Sequence, residues 1–205
     1  MLTKLVTKGT QIALKLPALV SSKLRTLSAR SQAKLGKDCL ILSDGSVLNI
    51  MVDQARINIG NHARIRGEIL TFAHAGQIRI GDWFYCGPGS RIWSSDPEGI
   101  QIGSRVLVAA NVTIYDTNSH PMDPKERFSL TRAIFQVGHP REIDTIRSAP
   151  VMIGDDVWVA SGVTILKGVS IGSRAIIGAG SIICTDVEPD ALIPAGTVLR
   201  KGGPK

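Results

Sequence analysis

From residue 153 to 183 an aliphatic side chain stands at every sixth position: Ile153, Val159, Ile165, Ile171, Ile177 and Ile183. A second row, Val157, Val163, Val169 and Ala175, runs four positions behind it. Small residues (Gly154, Ala160, Gly172, Gly178) follow the first row. The spacing returns upstream in Ile102, Val108 and Ile114, in Ile80, Cys86 and Ile92, and in Ile59, Ile65 and Thr71, with the register slipping between blocks. Neither a helix nor a long strand has this period. It predicts very short strands joined by sharp turns, three to a triangular coil of about 18 residues, stacked as a solenoid. Each aliphatic side chain buried beneath its counterpart contributes about 1.5–3 kcal/mol, and small residues suit corners where backbones approach closely. A sandwich of short strands would instead carry turn signals every 8–12 residues or so. The expected fold is therefore an all-β parallel solenoid.

Two stretches depart from the pattern. Residues 1–37 place Ile12, Leu16, Leu19, Val20, Leu24 and Leu27 at roughly helical spacing between basic residues, with Pro17 positioned to kink such a helix. Residues 115–149 lack the six-residue rows altogether and read as a long loop excursion, a length that in a compact domain usually serves function. The loop opens with YDTNSHPMDP, residues 115–124, which displays His120 among polar neighbours. The expected division is a basic, helical N-terminal segment (1–37), a β-solenoid domain (38–200) containing the loop 115–149, and a short tail (201–205).

Charge sharpens this division. The chain carries a net +7, yet residues 1–37 alone hold Lys4, Lys8, Lys15, Lys23, Arg25, Arg30, Lys34 and Lys37 and no acidic residue. The remaining 168 positions are slightly acidic, so the solenoid itself is not a nucleic-acid-binding body. A basic amphipathic segment suits an anionic membrane surface, at about 1 kcal/mol per cation; packing on its own domain or on a neighbouring subunit is the plainer alternative. Cys39, Cys86 and Cys184 are odd in number and widely spaced, which points to a reducing, cytoplasmic setting rather than a disulfide framework. Cys86 falls on a core row, and no cysteine stands beside a histidine in a nucleophile motif.

The stretch IGDDVWVASGVTILKGVSIGSRAIIGAGSIICTDVEPD, residues 153–190, resembles the hexapeptide-repeat acyltransferases, most closely the branch of galactoside, maltose and polysaccharide O-acetyltransferases. The likeness extends over residues 57–200. It implies a left-handed parallel β-helix, a homotrimer with active sites between subunits, and acetyl-CoA as co-substrate with no metal required. In that family a histidine at the start of the loop excursion is the general base, and His120 matches it. An imidazole titrates near neutrality, which suits removal of a proton from a sugar hydroxyl as it attacks a thioester. A backbone N–H in the turn that here reads Trp158-Val159-Ala160-Ser161 serves as the oxyanion donor, placing that role at Ser161.

The resemblance also assigns the co-substrate side. Ala179 matches a position whose backbone meets the pantetheine arm, and Arg200, with Lys201 beside it, matches a C-terminal cation that meets CoA phosphate. Two departures weaken the match: a Thr-Lys pair becomes Cys184-Thr185, and the C-terminal pattern becomes Ala195-Gly196-Thr197-Val198. Lys167, Arg174 and Lys201 are candidate replacements for the missing lysine. The acceptor side departs further, since an Asn-rich strand is replaced by YCGPGSRIWSSDPEG, residues 85–99. Trp93 and Asp96 are candidates to hold a sugar there, with Asp116 and Asn118 beside the histidine to orient or bind. His62 and His74 are expected at the surface or an interface, and His139 in the solvated loop. The expected function is O-acetylation of a sugar, a surface polysaccharide or its lipid-linked precursor, by direct transfer. Alternatives are N-acetylation of an amino sugar and a non-catalytic binding solenoid.

Overall fold

A computed structural model describes residues 20–42, 44–141 and 143–200. A helix, α1, is described over residues 20–30, and it lays Ser22, Thr26 and Ala29 against the first coil, with Ala33 buried just beyond its end. The Thr26 hydroxyl accepts from Ile41 N–H at 2.9 Å, fixing the helix on that coil. The rest of the predicted N-terminal helix lies outside the described residues.

Coil 1 comprises β1 (Lys34–Leu35), β2 (Leu40–Ile41) and β3 (Ser46–Asn49). Coil 2 comprises β4 (Ile57–Ile59), β5 (Arg64–Ile65) and β6 (Glu68–Thr71). Coil 3 follows with β7 (Ile78–Ile80), β8 (Tyr85–Cys86) and β9 (Arg91–Ser94). Coil 4 holds β10 (Ile100–Ile102), β11 (Leu107–Val108) and β12 (Thr113–Tyr115). After the excursion, coil 5 is β13 (Val151–Ile153), β14 (Trp158–Val159) and β15 (Thr164–Ile165). Coil 6 is β16 (Ser170–Ile171), β17 (Ile176–Ile177) and β18 (Ile182–Ile183), and β19 (Leu192–Ile193) and β20 (Val198–Leu199) close the stack. Strands pair in parallel with the coils above and below, which gives three flat sheets, one per side of a prism. The handedness is left, against the usual right-handed crossover rule. The solenoid thus begins at residue 34, four residues before the expected boundary at 38.

The aliphatic rows form the core. Ile59, Ile80, Ile102, Ile153 and Ile171 are successive partners in one sheet, each at most 5% exposed. One corner carries a second ladder: Lys37 N–H donates to Asn61 Oδ1, Asn61 N–H to Asp82 Oδ1, Asp82 N–H to Ser104 Oγ, Ser104 N–H to Asp155 Oδ1 and Asp155 N–H to Ser173 Oγ. Short polar side chains thereby satisfy corner amides that no strand partner reaches. The steps of this ladder measure the coils as 24, 21, 22, 51 and 18 residues. Only the coil after the excursion has the expected length. The extra residues of the earlier coils fall at the corner between the third and first sides, where the excursion also leaves, and there they build a wall.

Candidate active site

Polar residues replace the core rows at that corner. Asn49, Thr71 and Ser94 are partners at the inner ends of β3, β6 and β9, and Asp116 follows β12 beside them, all four essentially buried. Asn49 Nδ2 donates to the carbonyls of Gln32 and Asp53, and Thr71 Oγ1 lies 3.2 Å from Asn49 Oδ1. Ser94 Oγ donates to Asp116 Oδ2 at 2.5 Å, and the N–H groups of Ser95 and Asp96 donate to the same carboxylate at 2.8 and 3.2 Å. Burial nevertheless outweighs those bonds and pushes the Asp116 carboxyl up to about 6. Asp96 is also buried, and its Oδ1 accepts from Glu98 and Gly99 N–H. Both aspartates were expected to meet an acceptor. Their carboxylates are enclosed and hydrogen-bonded to Ser94 Oγ and the backbone of the 94–99 turn, and neither lines the cavity described below.

The excursion leaves through a narrow neck. Thr117 and Ser148 form an antiparallel bridge, Asn118 N–H donates to Arg147 O, and Ala149 N–H donates to Asp116 O. Ser119 takes a left-handed φ of 64°, with its N–H on Thr117 Oγ1 at 3.2 Å. His120 follows, ahead of Pro121, a position biased to extended backbone. Its imidazole is exposed and has no hydrogen-bond partner among the described residues. Arg127 ties down the segment beyond by donating to the carbonyls of Pro121 and Met122.

What was expected to be loop then contains helix α2 (Pro124–Val137). Asp123 caps it by accepting from Lys125 and Glu126 N–H, Pro124 opens it, and Gly138 ends it with a left-handed φ of 86°. These are ordinary helix start and stop signals, visible in DPKE and in the glycine. They were obscured because the segment lacks the six-residue rows surrounding it.

Helix α2 and residues 143–146 fold back over the outer face of the third sheet. Outer faces of a solenoid are usually polar, but Leu48, Leu70, Trp93 and Tyr115 form a continuous outward row over coils 1–4. Trp93 stacks on Tyr115, and its Nε1 donates to Glu68 Oε1 at 2.8 Å. That stacking covers one face of the indole, and Trp93 also lines the cavity beside it. Between row and excursion lies a cavity of about 470 Å³. Leu48, Ile50, Leu70, Phe72 and Trp93 line one side and Leu130, Ile134, Ile143 and Ile146 the other; Ser95, Thr117, Ser119 and His120 stand at the coil 3–4 end. His74 and His139 also line it, both in ring contact with Phe72. Burial, reinforced by His139, lowers the His74 pKa and keeps that ring neutral. His74, expected at the surface or an interface, is half-buried, and His139, expected in the solvated loop, is exposed; that the two meet across Phe72 has no signature in local spacing. His62 instead stacks on Trp83 at another corner.

Ser161 and Ala179 lie on a different edge of the prism, whereas Arg200 follows β20 on the third side. Ser161 follows β14 and Ala179 follows β17, both where the second side turns into the third, and Gly180 N–H donates to Ser161 O. The Ser161 N–H itself meets no acceptor among the described residues. Arg200 ends the last coil, and Lys201 lies outside the described residues. Within one chain, therefore, neither Ser161 nor Ala179 shares the cavity lined by His120. Cys39 and Cys86 are buried in the core, which pushes their thiols up to about 11 and about 12.

Comparison with known proteins agrees with this architecture. Residues 150–185 match the family described as bacterial transferase hexapeptide (six repeats), and residues 89–116 match the hexapeptide repeat of succinyl-transferase. The chain is 31% identical over 150 residues to galactoside O-acetyltransferase of Escherichia coli, which spans 73% of this chain and 64% of that protein. It is 29% identical over 155 residues to the putative lipopolysaccharide biosynthesis O-acetyl transferase WbbJ of the same organism, covering 76% and 70%. The chain thus spans less than two thirds of the galactoside enzyme's own length. Among solved structures, a mutant of AntD, an N-acyltransferase from Bacillus cereus, superposes with a TM-score of 0.62 at 16% identity over 89% of each chain, a likeness of fold. With six-residue rows, three parallel sheets and matches to the repeat itself on both sides of the excursion, the chain belongs to the hexapeptide-repeat acyltransferase superfamily.

Proposed function

We propose that this protein transfers an acetyl group from acetyl-CoA to a hydroxyl of a sugar, of a surface polysaccharide or of its lipid-linked precursor, with His120 as general base. One observation carries the reading: an unpartnered imidazole is held at the mouth of a formed cavity by a neck of backbone hydrogen bonds. The attacking oxygen gives its proton to His120 as it bonds to the thioester carbon; collapse of the tetrahedral adduct breaks the C–S bond, and the proton passes to the departing CoA thiolate. The galactoside and lipopolysaccharide relatives favour oxygen over nitrogen as the nucleophile.

A homotrimer would complete the site. His120 and the unpaired Ser161 N–H occupy different edges of the prism, so in this reading the oxyanion donor, and with it Ala179 for the co-substrate, comes from a neighbouring chain. An exposed apolar row on the second sheet, Leu107, Trp158, Ile176 and Leu192 on successive coils, supplies a surface for that contact. In this reading residues 1–37 bring the enzyme to an anionic membrane face on the cytoplasmic side.

The test is acetyl-CoA turnover against a panel of sugars, amino sugars and glycans, comparing the wild-type protein with His120→Ala. A loss of about 10²–10⁴-fold is expected for a general base. A loss below tenfold removes His120 from that role, and turnover confined to amino sugars transfers the reading to N-acetylation.

A further inference from the structure

We infer that the acceptor is amphiphilic: it carries an apolar group, aliphatic or aromatic, next to the hydroxyl that is modified. The inference rests on the acyltransferase reading above and deepens it. The cavity that His120 faces is far larger than a two-carbon acyl group requires, and its composition is graded along the solenoid axis. At coils 3 and 4 stand Ser95, Thr117, Ser119 and His120, able to hydrogen-bond hydroxyls. Toward coils 1 and 2 the walls are Leu48, Ile50, Leu70 and Phe72, with Leu130 and Ile134 of α2 opposite.

Charge does not offset this apolar end. Glu68 is the acidic side chain in the lining, and it is engaged by Trp93 Nε1 and Ser46 Oγ. The half-buried His74 has its pKa lowered by desolvation, which disfavours a positive charge there. Among the described residues no lysine or arginine lines the cavity itself. A free sugar would leave the aliphatic end filled with poorly hydrogen-bonded water, whereas an apolar group displaces that water at a gain. A long acyl chain on the donor is the rival occupant, but it would have no use for the four polar groups at the histidine end. Leu70 adds a second observation. It sits on an outer sheet face, yet it is 8% exposed because the excursion covers it, so the fold maintains an apolar chamber where solenoids ordinarily meet water.

Binding and turnover test this separately. Methyl, butyl and phenyl glycosides of one sugar, below any micelle concentration, are titrated into the full-length protein by calorimetry, and then assayed with acetyl-CoA. The butyl and phenyl compounds are expected to bind at least tenfold more tightly than the methyl compound, with the gain appearing in KM. Ile134→Asn is expected to reduce that discrimination to about twofold, with Ile134→Leu preserving it. Equal binding of the three glycosides overturns the inference, whether or not any is acetylated. A rate that climbs from acetyl- to hexanoyl-CoA, with the phenyl glycoside competing against the longer donor, overturns it in favour of the acyl chain. Tight phenyl-glycoside binding without turnover of any acceptor would instead reject the proposed reaction and leave an apolar-ligand site.

Discussion

The indole of Trp93 lies nearly flat on the phenol of Tyr115, with ring centroids 5.1 Å apart and planes inclined by 11°. The two are register partners on β9 and β12, so the stack joins the last two coils before the excursion. Arg91 adds its guanidinium over the indole at 5.4 Å. Offset stacking of this kind contributes about 0.5–1.5 kcal/mol beyond the buried area. Tyr115→Ala is therefore expected to lower unfolding free energy by about 2 kcal/mol in urea titrations and to shift tryptophan emission. Tyr115→Phe, which keeps the ring and loses only the phenol's contact with Arg91, should cost less than about 1 kcal/mol. Equal losses in the two variants would show that the hydroxyl, not the stack, matters.

A second relationship links the wall to pH. The Asp116 carboxyl is raised from its ordinary 3.8 to about 6 by burial. Folding therefore favours its protonated form: the associated stability is fully present below pH 3.8 and is lost as pH rises through 6. The size is on the order of 2–3 kcal/mol. Asp116→Asn removes the titration, although its amide must confront at least one of three donors and so lowers stability at every pH. The stability difference between wild type and variant should widen on going from pH 7 to pH 4.5. A difference that is flat, or that narrows on acidification, would show that the group is not held in this way.

The contrast between Ile153 and Asp116 shows what the sequence could convey. Ile153 repeats its position six residues later and again in the next coil, so one local pattern announces strand, turn and core together. The site corner has no such repetition, since the ladder steps that pass it span 24, 21, 22 and, with the excursion, 51 residues. Acids beside a histidine read alike in sequence whether exposed or buried, and burial of Asp96 and Asp116 is set by Asn49, Thr71 and Ser94 in other coils. His120 was found through its match to a family, while His74 and His139 entered the cavity only once α2 had folded back.

Assembly is testable at Trp158. It is 49% exposed at the centre of the apolar row formed with Leu107 and Ile176, and nothing among the described residues of one chain covers it. Trp158→Glu places a charge on that row, and desolvating it across an interface would cost several kcal/mol. Sedimentation equilibrium is expected to give a trimer for the wild type and a folded monomer for the variant, with turnover falling alongside. A variant that stays trimeric, or a wild-type monomer with full activity, would contradict a site shared between chains.

The N-terminal segment yields the last prediction. Helix α1 buries Ser22, Thr26 and Ala29, but Val20, Leu24 and Leu27 are more than half exposed, flanked by Lys23, Arg25 and Arg30. An apolar strip bordered by cations gains from an anionic bilayer in two ways, by burying side chains at the headgroup boundary and by about 1 kcal/mol per cation near the surface. The full-length protein should therefore co-sediment with vesicles containing phosphatidylserine, fail to do so with pure phosphatidylcholine, and be released as salt shortens the Debye length. Leu24→Asp with Leu27→Asp should weaken the association about tenfold or more while leaving the trimer and the turnover of soluble acceptors within twofold. If the wild type ignores anionic vesicles at low salt, the strip instead packs on protein, and the same double variant would then disturb assembly.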